Sequence, residues 1–161
     1  MEIHNYKDTI RVKLLRFVYT LVCILAIIII LMEDQWFQFW ENSDRQIPLI
    51  IGAVLLIYFI VDFARNYNYV YFNDDGPKII LRFYSLRMFM QVNKSIEIPK
   101  KSLYSYEILK SFGGLKTMLV LYQALEGKSF KYPPVNIRLL KKQDHNRIIQ
   151  SLDKYAQNKT R

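Results

Sequence analysis

Few residues in this 161-residue chain have the types and spacing that chemistry needs. Cys23 is the only cysteine, so the chain cannot build a disulfide framework or a cysteine-cluster metal site within itself. His4 and His145 are the only histidines and stand far apart in sequence, which leaves histidine metal chemistry thinly supplied. No serine or cysteine has a histidine and an acid close enough in sequence to be grouped as a nucleophilic triad. Glu126-Gly127-Lys128-Ser129 ends like a phosphate loop, in which backbone amides and a lysine cradle a nucleotide's phosphates. That motif needs a second glycine where this chain has Tyr122, so the segment reads as a polar hairpin turn. Asp74 and Asp75 are adjacent carboxylates, but neighbours in a turn do not converge on one substrate, and they read as turn formers. The sequence assigns no catalytic residue, no cofactor and no metal site, and it predicts a non-enzymatic protein.

The remaining chemical signal is charge. The chain has 23 Lys and Arg against 14 Asp and Glu, a formal net charge of +9. Lys100, Lys101, Lys141, Lys142 and Arg147 are the candidate contacts for anionic lipid headgroups or for a partner, since basic residues near a lipid surface attract it by roughly 1 kcal/mol each. Nucleic-acid binding would need those charges interleaved with exposed aromatics. Tyr67, Tyr69, Tyr71 and Phe72 are present, but strand alternation sends about half of such a run inward, so a nucleic-acid partner is not predicted. Asp62 is an acid at the end of an apolar run with Arg65 three positions on, which reads as a helix-end ion pair.

The elements that must carry these residues fall into two parts. Leu14–Met32 contains one charge, Arg16, and Ile47–Phe63 contains one, Asp62. A helix needs about 20 mainly apolar residues to cross a bilayer core, so the expectation is two transmembrane helices at about 14–32 and 47–63. Residues 1–66 would then form a membrane anchor. Residues 1–16 carry four Lys and Arg, one (Arg45) lies in the acidic segment 33–46, and eighteen follow the second run. The positive-inside rule turns this asymmetry into a multi-pass protein of the inner (plasma) membrane with both termini cytoplasmic and 33–46 outside. Trp36 and Trp40 in that segment would be interfacial anchors.

Residues 67–161 read as a cytoplasmic β-rich domain. Tyr67–Phe72 alternates with a period of two, Asn73–Pro77 supplies consecutive turn formers, and Lys78–Tyr84 returns. Further short strands fall around Ile96–Ile98, Leu103–Leu109, Leu115–Tyr122, Ser129–Tyr132 and Val135–Leu139. Ile148, Ile149, Leu152 and Tyr155 then recur at helical spacing, predicting a terminal helix from about Gln143 to Gln157. About seven antiparallel strands closed by one helix make a small barrel or sandwich. On the 73–77 hairpin, the Ile96–Lys100 strand exit, the Leu115–Tyr122 strand and the Ile137–Leu140 strand feeding the helix, the region resembles a bacterial pleckstrin-homology-like domain. That family has no invariant catalytic motif, so the resemblance carries no site residue. It implies a protein-interaction module displayed at a membrane, as a small subunit or assembly factor of a membrane protein complex. The alternative is an oligomeric membrane effector or pore gated by an anionic ligand. The partners expected are membrane lipids and other membrane proteins, or further copies of the chain.

Overall fold

The computed structural model describes residues 1–31, 46–86, 92–111, 113–125 and 127–158. Among them the elements are β1 (Glu2–His4), α1 (Tyr6–Leu31), α2 (Gln46–Arg65), β2 (Asn68–Asn73), β3 (Lys78–Ser85) and β4 (Lys94–Pro99). A single 3-10 turn at Lys100–Ser102 leads into β5 (Leu103–Ser111), β6 (Lys116–Leu125), β7 (Lys128–Lys131), β8 (Val135–Asn136) and α3 (Lys142–Tyr155). The chain divides into two compact units. One joins Met1–Ile10 to Arg65–Arg161, and the other is Arg11–Ala64.

The first unit is built of two antiparallel four-stranded sheets, one in the order β1-β2-β3-β4 and the other of β5-β6-β7 with β8 also paired to β6. Alternation decides which side chains go in. Val70 and Phe72 of β2, Ile79 and Leu81 of β3, and Ile96 and Ile98 of β4 are buried, while their sequence neighbours face out. They share one apolar cluster with Leu119 and Leu121 of β6 and with Ile148 and Leu152 of α3, so both sheets and the helix enclose the same core. Turn chemistry sets the register: in the β2–β3 turn the Asp75 amide donates to Asn73 Oδ1 at 2.8 Å. Gly113 and Gly114 take φ of 60° and 88° between β5 and β6, a conformation that side chains resist. After α3 the chain is fastened to β5, the Gln157 and Asn158 amides donating to the Leu103 and Tyr104 carbonyls at 3.2 and 2.8 Å.

β1 is a departure from the sequence expectation. Ile3 sits opposite Phe72 and is buried, so residues 2–4, which the sequence reading places in the anchor segment 1–66, complete the first sheet. Among the described residues the β unit therefore has eight strands, the first of them before the helices rather than after them.

The second unit holds most of α1 and α2. The Arg16 Nε–H donates to Asp62 Oδ2 at 2.8 Å, the Tyr19 hydroxyl donates to the Leu55 carbonyl, and the Tyr19 and Tyr58 rings lie 4.3 Å apart. Position rises along one helix as it falls along the other, so the pair is antiparallel. Among the described residues no helix is long and apolar enough to cross a membrane. The helices do not end where the apolar runs do. α1 starts at Tyr6 and takes Lys7, Asp8, Arg11, Lys13 and Arg16 into its first turns, and the side chains described in α2 run from Gly52 and include Asp62 and Arg65. The expected two-helix membrane anchor, the multi-pass inner-membrane placement and the fold class that contained them are corrected accordingly. The described residues form three α-helices and two antiparallel sheets of four strands. Trp36, Trp40 and the acidic segment around them lie outside the described residues.

Candidate functional site

The five basic candidates do not form one patch. Lys100 and Lys101 occupy the 3-10 turn, and the Lys100 ammonium stands 4.5 Å from the centroid of the Tyr155 ring at the last residue of α3. Lys141 and Lys142 begin the same helix and Arg147 follows a turn later, all three exposed. A 14-residue helix is about 20 Å long, so the two lysine pairs stand near its opposite ends. Asp62 differs from the sequence reading as well: its described partner is Arg16 on the facing helix, with side-chain exposures of 20% and 18%, and not Arg65 on its own.

Asp74 does more than form a turn. It is ion-paired to the Met1 amine at 2.7 Å and accepts a hydrogen bond from the Ser151 hydroxyl of α3. Burial pushes the Asp74 carboxyl up, but these hydrogen bonds, with the charges of the amine and Lys100, hold it below the usual carboxylate range. His145 lies within 2.6 Å of the Ile137 carbonyl through Nε2, which ties the first turn of α3 to the segment before it. Gly127, in the phosphate-loop-like segment, adopts φ of 77° between β6 and β7, as a hairpin turn requires. Cys23 is a half-buried free thiol. Among the described residues no three His, Cys, Asp or Glu side chains gather as metal ligands.

Two features that sequence reasoning missed stand out. The first is the polarity of the helical unit, where the polar contacts lie between the helices and the apolar side chains lie outside. Phe17 is 67% exposed, Leu56 62% and Phe59 61%, with Leu14, Val54 and Phe63 close behind. No described side chain of residues 11–64 is buried. The apolar runs were visible in the sequence, but only the Arg16–Asp62 and Tyr19–Leu55 contacts show which faces meet.

The second is a pair of buried asparagines within the β unit, one just before α1 and one against the residues that end α2. Asn5 donates from Nδ2 to the Asn68 carbonyl at 3.0 Å, and its Oδ1 accepts the Val70 amide at 2.9 Å, fixing the start of α1 to β2. Asn136 on β8 donates from Nδ2 to the carbonyls of Arg65 and Asn66 at 2.8 and 2.9 Å, and its Oδ1 accepts the Arg138 amide at 3.0 Å. It thereby holds the residue that ends α2 and the one after it. Asn66 itself has φ of 42°, a left-handed conformation that asparagine tolerates better than most residues.

The outer face of the β1–β4 sheet carries a groove of about 360 Å³ lined by Tyr69, Tyr71, Arg82, Tyr84, Lys94 and Ser95 among others. Register explains its composition. Tyr69 lies across from Tyr84, Tyr71 across from Arg82, and Arg82 across from Ser95, all on the face opposite the core. The Tyr69 and Tyr84 rings stack at 4.8 Å, and the Arg82 guanidinium stands 6.0 Å from the Tyr71 centroid. Burial, with Tyr84 and Tyr71 beside it and Glu2 farther along, pushes the Tyr69 hydroxyl above the usual tyrosine range. No family model, no curated protein and no solved structure matches the chain.

Proposed function

We propose that the protein is a non-enzymatic interaction subunit, or an assembly factor, of a larger protein complex. The α1–α2 pair serves as its docking element and the β unit as its display domain. One observation carries this reading: the helical unit keeps its polar contacts inside and presents large apolar side chains outside. Extended exposed apolar surface marks an interaction site, because each such side chain gains about 1.5–3 kcal/mol on full burial. Partner helices with apolar faces would supply that burial. The β unit, two antiparallel sheets closed by α3, is taken to act as a pleckstrin-homology-like module. Its exposed Lys141, Lys142 and Arg147 suit an acidic partner surface.

The test is a photo-crosslinking amino acid placed at Phe59 in the full chain in its native host, with Lys128 on β7 as the control position. The expected result is an adduct between position 59 and an apolar helix of a different protein, located by mass spectrometry, with no such adduct from position 128. Adducts only with lipid, only with a second copy of the chain, or with nothing would overturn the reading.

A further inference from the structure

The groove on the outer face of the first sheet lies outside the docking role of the helices, and the inference it supports does not depend on that role. Three properties define what it could hold. Its size, about 360 Å³, falls in the lower part of the range of small-molecule sites, roughly 300–1,000 Å³, and is small for a folded partner. Its charge is positive: Arg82 is exposed and Lys94 is exposed, and among the described residues neither has a carboxylate within ion-pair distance. Glu97, the acid nearest to them in the β3–β4 register, is engaged with Lys78 at 3.4 Å, and Glu2 stands opposite Asn73, one row away from Arg82. Its walls are aromatic, with Tyr71 beside the guanidinium and the stacked Tyr69–Tyr84 pair one side-chain repeat, about 7 Å, along the strands.

An arginine with five donors in a planar fork, opposite the Ser95 hydroxyl on the same face of the sheet, is suited to the oxygens of a phosphoryl group. Tyrosine faces a short step away are suited to a planar ring, which they hold by stacking regardless of its hydrogen-bonding edge. We propose that this groove binds a small anion carrying a planar ring, of the nucleoside monophosphate class. Arg82 and Ser95 take the phosphate, and the tyrosines take the ring. Neither half of the ligand suffices alone, because an open groove on a sheet face excludes water poorly and must add two weak contacts.

The test is equilibrium titration of the full-length protein at low salt with three probes: adenosine 5′-monophosphate, adenosine and inorganic phosphate. The expected order is the monophosphate at least tenfold tighter than either of the others. Arg82→Gln should weaken the monophosphate at least fivefold and leave adenosine unchanged. Tyr71→Leu should weaken adenosine and the monophosphate together. Arg82 is exposed, so the Gln variant should keep the wild-type melting temperature, which separates lost binding from lost folding. Inorganic phosphate binding as tightly as the monophosphate, indifference of the monophosphate to Arg82→Gln, or no binding of any probe would overturn the proposal.

Discussion

Replacing Asn136 tests whether one buried amide holds residues 65 and 66, at the entry to β2, against β8. The side chain belongs to a residue only 1% exposed and makes three hydrogen bonds, two donated to backbone carbonyls and one accepted from a backbone amide. Asn136→Ala removes all three. A typical intramolecular hydrogen bond contributes about 0.5–1.5 kcal/mol net, and a buried group left unpaired costs about 1–3 kcal/mol. Arg65 and Asn66 are only half-buried, so water can reach their carbonyls in part, and the expected loss is about 2–4 kcal/mol. Asn136→Asp keeps the shape and the acceptor but sets a carboxylate against two carbonyl oxygens. It should be the worse variant at neutral pH, by about 1 kcal/mol or more, because a buried charge without a donor is costlier than a small void. Protonation in acid would return one donor, so the Asp variant should recover relative to Ala as pH falls. The readout is hydrogen exchange of the full chain resolved to Asn68–Asn73, alongside denaturant unfolding. If Asn136→Ala lies within about 0.5 kcal/mol of wild type, or if Asp is the better tolerated replacement at pH 7, the amide does not fasten the strand entry.

Leu152 is fully buried against both sheets, so Leu152→Ala should cost about 2–5 kcal/mol, whereas Lys154→Ala, exposed on the same helix, should cost under about 0.5 kcal/mol; the two midpoints of denaturant unfolding decide it. That measurement needs the full chain, since a fragment starting at residue 64 would lack β1. Burial first, and the hydrogen bond donated to Asp153 at 2.6 Å second, push the Tyr106 hydroxyl up to about 12. The folded value lies above the unfolded one of about 10, so the associated stability is complete below pH 10 and lost as pH rises towards 12. Tyr106→Phe should flatten that alkaline loss, and a variant losing stability over the same window as wild type would show the hydroxyl to be uninvolved.

Some of this architecture is legible in the sequence because it depends on neighbours in the chain. The alternation in Tyr69–Phe72 and in Lys116–Tyr122 marks strands, and the turn residues at Asn73–Pro77 mark the hairpin between β2 and β3. The stripe Ile148, Leu152 marks a helix face. β1 is not legible, since three residues with a single inward side chain, Ile3, carry no periodicity. Sequence offers Asp62 only a near partner, Arg65, whereas Arg16 lies 46 positions away. The long apolar runs show helices but not where those helices begin, and α1 extends eight residues ahead of its run. The groove is invisible for a related reason: Tyr71, Arg82 and Ser95 become neighbours only through the register of three strands.

The pairing of β1 with β2 also bears on how the chain reaches its native state. The Asn5 side chain and the Val70 amide that it accepts are 65 positions apart, and closing a flexible loop of that length costs roughly 4 kcal/mol in chain entropy. During synthesis β1 emerges before β2 and has no β2 to pair with until the helices between them have followed. The antiparallel docking of α1 on α2, pinned at Arg16 and Asp62, brings the two ends of the intervening segment together. With the helices docked, strand pairing becomes almost local and most of the entropic barrier is gone. A chain with Asp62→Leu should therefore fold its first sheet more slowly.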